Sequence, residues 1–168
     1  MRRFGVRFSL LATAVVVGCH GVHYGFVGGG LPTHIRTMAV LPFDNQTSSP
    51  DLQRELFDRM RREMQQRLGV RDAAQDKADA LVRGVIQTYD VDVPVAFSAD
   101  PNQSVSARRR LQIVIDVEII DQSTGKILFE RKGLRAEGDY AERAEPEGRR
   151  QAIDRLVNDI IEGAQSQW

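Results

Sequence analysis

The sequence predicts an α+β fold, a two-layer sandwich with two helices packed on one face of a mixed four-stranded β-sheet. Three observations carry that prediction. Two segments, Leu52 to Leu68 and Ile153 to Ala164, repeat apolar residues every three or four positions, as helices with one buried face do. A third segment, Leu111 to Ile119, places apolar residues at every second position, as a strand with one buried face does. Laying both helices on the sheet is the simplest way to bury all three faces.

Thr37 to Phe43 is a short apolar run with β-branched members, closed by Asp44-Asn45-Gln46-Thr47. It reads as a buried first strand whose end, at Pro42, lies near an edge or bulge. Ser49-Pro50-Asp51 then supplies three helix-start signals: a capping hydroxyl, a proline where no N–H is needed, and an early carboxylate. Leu52, Leu56, Met60, Met64 and Leu68 form the apolar stripe of that helix, Phe57 widens it, and Gly69 stops it. Leu81 to Val95 is a long second strand, left through a loop at Asp100-Pro101-Asn102.

Arg110 to Asp121 is the clearest strand, since a one-residue slip would turn Asp116 and Glu118 into the core. Asp121-Gln122-Ser123-Thr124-Gly125 reads as a hairpin turn, and Lys126 to Lys132 as the antiparallel return strand with Ile127 and Phe129 inward. Pro146 and Glu147 open the closing helix, whose inner face is Ile153, Leu156, Val157, Ile160, Ile161 and Ala164. The first two strands are joined by a helix and are expected to run parallel through a right-handed crossover; the other joins allow antiparallel pairs.

Ahead of this domain the chain opens with Arg2, Arg3 and Arg7, followed by the apolar run Phe8 to Val17. That is the layout of an export signal, and the run is roughly half the ~20 residues needed to cross a bilayer. Val16-Val17-Gly18-Cys19 resembles the bacterial lipobox, whose cysteine is diacylated on sulfur, exposed by cleavage and then acylated on its new N-terminus, typically with palmitate. Multiple acyl chains make membrane attachment effectively permanent, because each buried methylene contributes about 0.8 kcal/mol. His20 stands where an aspartate would signal inner-membrane retention, which favours the periplasmic face of the outer membrane. The expected organisation is a signal peptide over 1–18, a lipidated tether over 19–34 containing Gly28-Gly29-Gly30, and one domain over 35–168.

Without the three leader arginines the chain carries 20 basic against 23 acidic residues, which argues against nucleic acid as a partner. Cys19 is the single cysteine, so no internal disulfide can form. No phosphate loop, dinucleotide fingerprint, serine elbow or zinc-type spacing occurs, and no catalytic residue, metal site or cofactor is expected. His20, His23 and His34 read as solvated histidines, and the pairs Asp90/Asp92 and Asp116/Glu118 as parts of a polar sheet face. Arg108, Arg109 and Arg110 open the clearest strand and can be read as a grip for a phosphorylated lipid headgroup or as a charged strand entrance. Arg131, Lys132 and Arg135 are weaker versions of the same idea.

The chain also resembles a known family. The lipobox cysteine, Tyr24-Gly25-Phe26, Leu31-Pro32 and Ile35 through Thr47 are similar in order and spacing to the LPS-assembly lipoprotein family LptE. Leu81 through Tyr89, Arg110 through Val117, and Arg149-Arg150-Gln151-Ala152-Ile153 running into Leu156 through Ile161 continue the likeness over nearly the whole mature chain. The resemblance implies two helices on a four-stranded sheet and a non-catalytic lipoprotein. It also implies partnership with an LptD-like outer-membrane β-barrel and contact with lipopolysaccharide. The strand-Pro-Phe-x-Asn-x-Thr opening followed by a helix is similar as well to CsgG- and LpoB-type periplasmic lipoproteins, which serve secretion pores or activate cell-wall synthases.

Overall fold

A computed structural model describes residues 31–93 and 109–167 of the chain. The signal segment, Cys19, His20, His23, Arg108 and the Asp100-Pro101-Asn102 loop lie outside the described residues. The elements are β1 (Thr37–Val40), β2 (Asp44–Asn45), α1 (Pro50–Leu68), β3 (Arg71–Asp72), a 3-10 turn (Gln75–Lys77), β4 (Ala80–Val93), β5 (Arg109–Asp121), β6 (Ile127–Tyr140) and α2 (Glu145–Ser166).

The α+β arrangement of two helices on a mixed sheet is present, but the sheet has six strands, not four. The order is β3-β1-β4-β5-β6, with β2 also paired to β4. β1 lies parallel to both β3 and β4, while β4–β5 and β5–β6 are antiparallel. The added strands are two-residue pieces, too short to leave any alternation in the sequence. β2 is a separate strand because β1 ends at Val40 and strand pairing resumes only past Pro42, with Asp44 opposite Val85.

Ser49 sits at the start of α1 in extended conformation, yet its side chain makes no capping bond. Asn45 organises this turn instead: its amide donates to the Ser49 carbonyl at 2.9 Å and its oxygen accepts from the Thr47 N–H and hydroxyl. Gly69 ends α1 at φ 66°, the left-handed position where a residue without a Cβ is least strained. Leu52, Leu56, Met60 and Met64 are buried beneath it, and Ile153, Leu156, Val157, Ile160, Ile161 and Ala164 beneath α2. They meet Val82, Ile86, Leu111, Ile113, Ile115, Val117, Ile119 and Phe129 from the sheet. Each such aliphatic side chain contributes about 1.5–3 kcal/mol on leaving water.

The return strand differs most from expectation. β6 runs eight residues beyond Lys132, to Tyr140. A bulge lies in its middle, where the register passes from Ile115↔Leu134 to Val117↔Arg131. Gly133 takes φ 62° there and donates its N–H to the Asp116 carboxylate at 2.7 Å. A second irregularity, between Ile119↔Phe129 and Ile120↔Ile127, sends Phe129 into the core and Ile127 to the opposite face. Ile127 is therefore 47% exposed rather than inward, and Leu128 and Phe129 are buried. Farther along β6, a Cβ on Gly138 would stand 1.8 Å from the Gly148 carbonyl oxygen, so strand and helix meet backbone to backbone. Nearby, Arg155 of α2 donates to the Glu137 carbonyl at 2.7 Å.

Candidate functional site

Cross-strand partners share a face, so the register separates the arginines chosen from sequence into two groups. Arg109 and Arg110 begin β5 at the end where β4 finishes, opposite Tyr140 and Asp139 of β6. Arg131, Lys132 and Arg135 flank the bulge on the outermost strand. The two groups do not converge on one pocket. Arg108, the third member of the run, lies outside the described residues.

At the first group, Asp92 is the organising residue. It adopts φ 64°, an uncommon value for any side chain larger than glycine, and its Oδ1 accepts from both Tyr140 Oη and Arg109 Nη1 at 2.9 Å. Those two bonds, the tyrosine's first, hold the Asp92 carboxyl below the usual carboxylate range. Burial and the neighbouring carboxylate raise the Tyr140 phenol. Arg110 is similarly engaged, donating through Nε to Asp139 at 2.7 Å and lying 3.1 Å from Glu137. An anion arriving at Arg109 or Arg110 therefore meets a guanidinium whose charge is already partly offset by a carboxylate. Arg143, the other non-glycine residue with positive φ among those described, sits in the following turn to α2.

At the second group, Lys132 lies 3.1 Å from Glu130, which raises its ammonium above the usual lysine value. Arg131 and Arg135 have no carboxylate in ion-pair contact among the described residues. Both border a groove of about 540 Å³ between β6 and the last turns of α2, which the carboxylates of Asp159 and Glu162 line as well. Arg131, opposite Val117, lies on the helix side of the sheet, and Arg135, opposite Val114, on the other face. An exposed guanidinium can take bidentate bonds from phosphate oxygens, here in competition with those two carboxylates.

The carboxylates of the strands have specific partners. Asp116 accepts from Gln87 at 2.7 Å as well as from Gly133, and Glu118 pairs with Arg83. His34 is not a free solvated ring: its Nε2 lies 2.9 Å from Asp121 Oδ2. Asp121, 2% exposed, also accepts from the Ser123 and Thr124 hydroxyls at 2.7 and 2.8 Å and so ties the β5–β6 turn together. These contacts drive its carboxyl far below the ordinary range. Among the described residues the serine of this cluster, Ser123, donates to Asp121 and not to His34, and no group of three potential metal ligands occurs.

Sequence reasoning missed Arg149. It is a buried cation at 9% exposure, bound by Glu55 of α1 and by Glu145 one turn earlier in α2. Its signal was present only as the spacing of Glu145 and Arg149, four apart, which on a surface helix means little.

With this geometry in place, comparisons can be weighed. A family model described as "LptE: Lipopolysaccharide-assembly" matches residues 35–163. No curated protein matches the sequence. Among solved structures, a PelC dodecamer from Paraburkholderia phytofirmans is similar at a TM-score of 0.51 and 16% identity, over 82% of this chain and 93% of that one. A Chlamydia trachomatis protein gives 0.51 at 9% identity, over 79% and 99%. A Xanthomonas campestris protein gives 0.50 at 10%, over 81% and 87%. At these identities the likeness is one of fold.

Proposed function

The chain belongs to the LptE family of lipopolysaccharide-assembly proteins, and from that membership we propose that it is a non-catalytic lipoprotein of the outer membrane. In this reading Cys19 carries the acyl chains, and the folded domain works at the periplasmic face with an LptD-like β-barrel in lipopolysaccharide transport and assembly. The family match, which spans every strand, α1 and α2 as far as Gly163 but none of the leader, is the observation that carries the reading.

The structure supplies candidate lipopolysaccharide contacts. Arg131, Lys132 and Arg135 set three cations along the outermost strand, Arg131 on the helix side beside the groove, and a lipid A phosphate reaching them would compete with Glu130, Asp159 and Glu162. Arg108, Arg109 and Arg110 form a second candidate set; Arg109 and Arg110 are already paired with Asp92, Asp139 and Glu137, with which a phosphate would compete.

The test is a mild-detergent pull-down of the tagged, lipidated protein from its native membrane, with identification of the barrel that accompanies it. A stoichiometric LptD-like barrel supports the reading, whereas a cell-wall synthase or secretion pore in its place overturns it. Binding to a phosphorylated lipid A analogue then assigns the contacts. Arg131→Ala with Arg135→Ala is expected to weaken binding roughly tenfold, on the order of 1.4 kcal/mol for two exposed charged contacts. Unchanged binding shifts the assignment to Arg109 and Arg110.

A further inference from the structure

The three long strands meet at the end of the sheet away from the β5–β6 turn, and one carboxylate joins them. Between Asp90↔Gln112 and Val93↔Arg110, β4 advances three residues while β5 gives two, and Asp92 lies within this bulge at φ 64°. Its side chain reaches past β5, the strand between β4 and β6, to the Tyr140 hydroxyl on β6. Arg109, the first residue of β5, donates to the same oxygen, Oδ1, at the same 2.9 Å.

The two donors differ in how firmly they are held. Tyr140 is 7% exposed, belongs to the hydrophobic core and packs against the first turn of α2, where a Cβ on Gly148 would stand 2.9 Å from its ring. The Arg109 side chain is 43% exposed, and Asp92 is its one ion-pair partner among the described residues. It engages Asp92 through Nη1, so its remaining N–H groups are open to a second acceptor. Arg110, on the opposite face by strand alternation, is held by both Asp139 and Glu137. If Arg109 turns away, the phenol still donates to Asp92, and what is lost is one exposed ion pair, which contributes little.

We infer that the Asp92 carboxylate, backed by the Tyr140 hydroxyl, is a resting dock from which the Arg109 guanidinium passes to a phosphate monoester on an incoming ligand, and that Arg109, not Arg110, is the exchangeable cation at this end of the sheet. This rests on the reading that the chain contacts a phosphorylated lipid headgroup. Carboxylate and phosphate present a guanidinium with similar paired oxygens, so Asp92 stands in for the ligand in the free protein. A phosphate monoester carries close to two negative charges at pH 7 and outcompetes a single carboxylate, whereas a monoanion has no such advantage. Asp92 is thus a positioning residue that also sets the charge an acceptable ligand must bring.

The test follows the guanidinium Nε–H signals of the full lipidated chain in detergent by NMR. Inorganic phosphate, acetate and a bisphosphorylated lipid A analogue are added in turn. Phosphate and the analogue are expected to move the Arg109 signal and leave that of Arg110 in place, and acetate to move neither. Movement with the analogue alone identifies the lipid headgroup as the ligand. Movement with phosphate alone keeps the exchange and overturns the lipid reading. No movement of Arg109 with either, equal movement of Arg109 and Arg110, or an equal response to acetate overturns the exchange.

Affinity for whichever probe moves Arg109 separates positioning from packing. Asp92→Asn keeps a side chain that tolerates the left-handed backbone and still accepts from Tyr140, and it is expected to raise affinity about threefold. In an Arg109→Gln background that gain should vanish. Asp90→Asn removes the same charge two residues away and should leave affinity unchanged. A gain of equal size from Asp90→Asn, a gain that persists with Arg109→Gln, or no gain from Asp92→Asn overturns the dock.

Discussion

Arg149 and Glu55 face each other across the two helices in a bidentate pair, with nitrogen–oxygen distances of 3.0 and 2.9 Å. The guanidinium also takes Glu145 at 2.8 Å, so one mostly buried cation offsets two carboxylates at the junction of α1 and α2. Arg149→Ala leaves those carboxylates facing each other, and we expect a loss of about 2–4 kcal/mol in urea unfolding. Arg149→Lys should recover only part of it, because a single ammonium cannot reproduce the fork.

Gly138→Ala tests the backbone contact between β6 and α2. The added methyl would meet the Gly148 carbonyl, and neither backbone can move without displacing its element. The expected cost is about 3 kcal/mol or more, measured as a fall in the urea midpoint. Gly133→Ala is the control: no atom lies within 4 Å of its Cβ, and only the φ of 62° opposes it, for about 1–2 kcal/mol.

Stability should fall on the acid side of the pH range. The Asp121 carboxyl is lowered by the Ser123 and Thr124 hydroxyls and by His34, and Asp79 and Asp92 shift the same way. A carboxyl lowered in the folded state contributes stability above its unfolded value, near 3.9, and loses it as pH falls through the folded one. Denaturant melts should therefore weaken from about pH 4 downward, and Asp121→Asn should make that decline shallower. An unchanged slope would remove Asp121 as its source.

Cys19→Ala is expected to yield a folded but mislocalised protein, because the fully buried core starts at Ile35 and the first described residue packed against it is Leu31, well past the cysteine. Circular dichroism of the released protein should match that of the lipidated one. An unfolded product would place the domain boundary nearer the N-terminus.

Legibility in the sequence followed the length and regularity of each element. The four-residue spacing from Leu52 to Met64 and the alternation from Leu111 to Ile119 are long enough to fix helix, strand and inner face, and the structure has all three. Arg71–Asp72 is a strand only because β1 passes beside it, which no local pattern records. The far half of β6 is not legible because the bulge at Lys132–Gly133 breaks the period of two, and simple alternation puts Ile127 inward with Phe129, whereas the second irregularity turns it to the opposite face. Among the candidate arginines, residue type suggested phosphate binding. Which of them holds a carboxylate in ion-pair contact, as Arg109 and Arg110 do, depends on tertiary pairing.

The outer side of β6 has a further consequence for how the protein survives unassembled. A fourteen-residue strand with one side unpaired among the described residues would ordinarily template the growth of fibrils from neighbouring copies. Here the bulge bends the row out of line, and Arg131, Lys132, Arg135 and Glu137 load it with charge. The Arg155 guanidinium occupies the Glu137 carbonyl as well. Copies crowded in one compartment before meeting a partner are thereby kept from recruiting one another into aggregates.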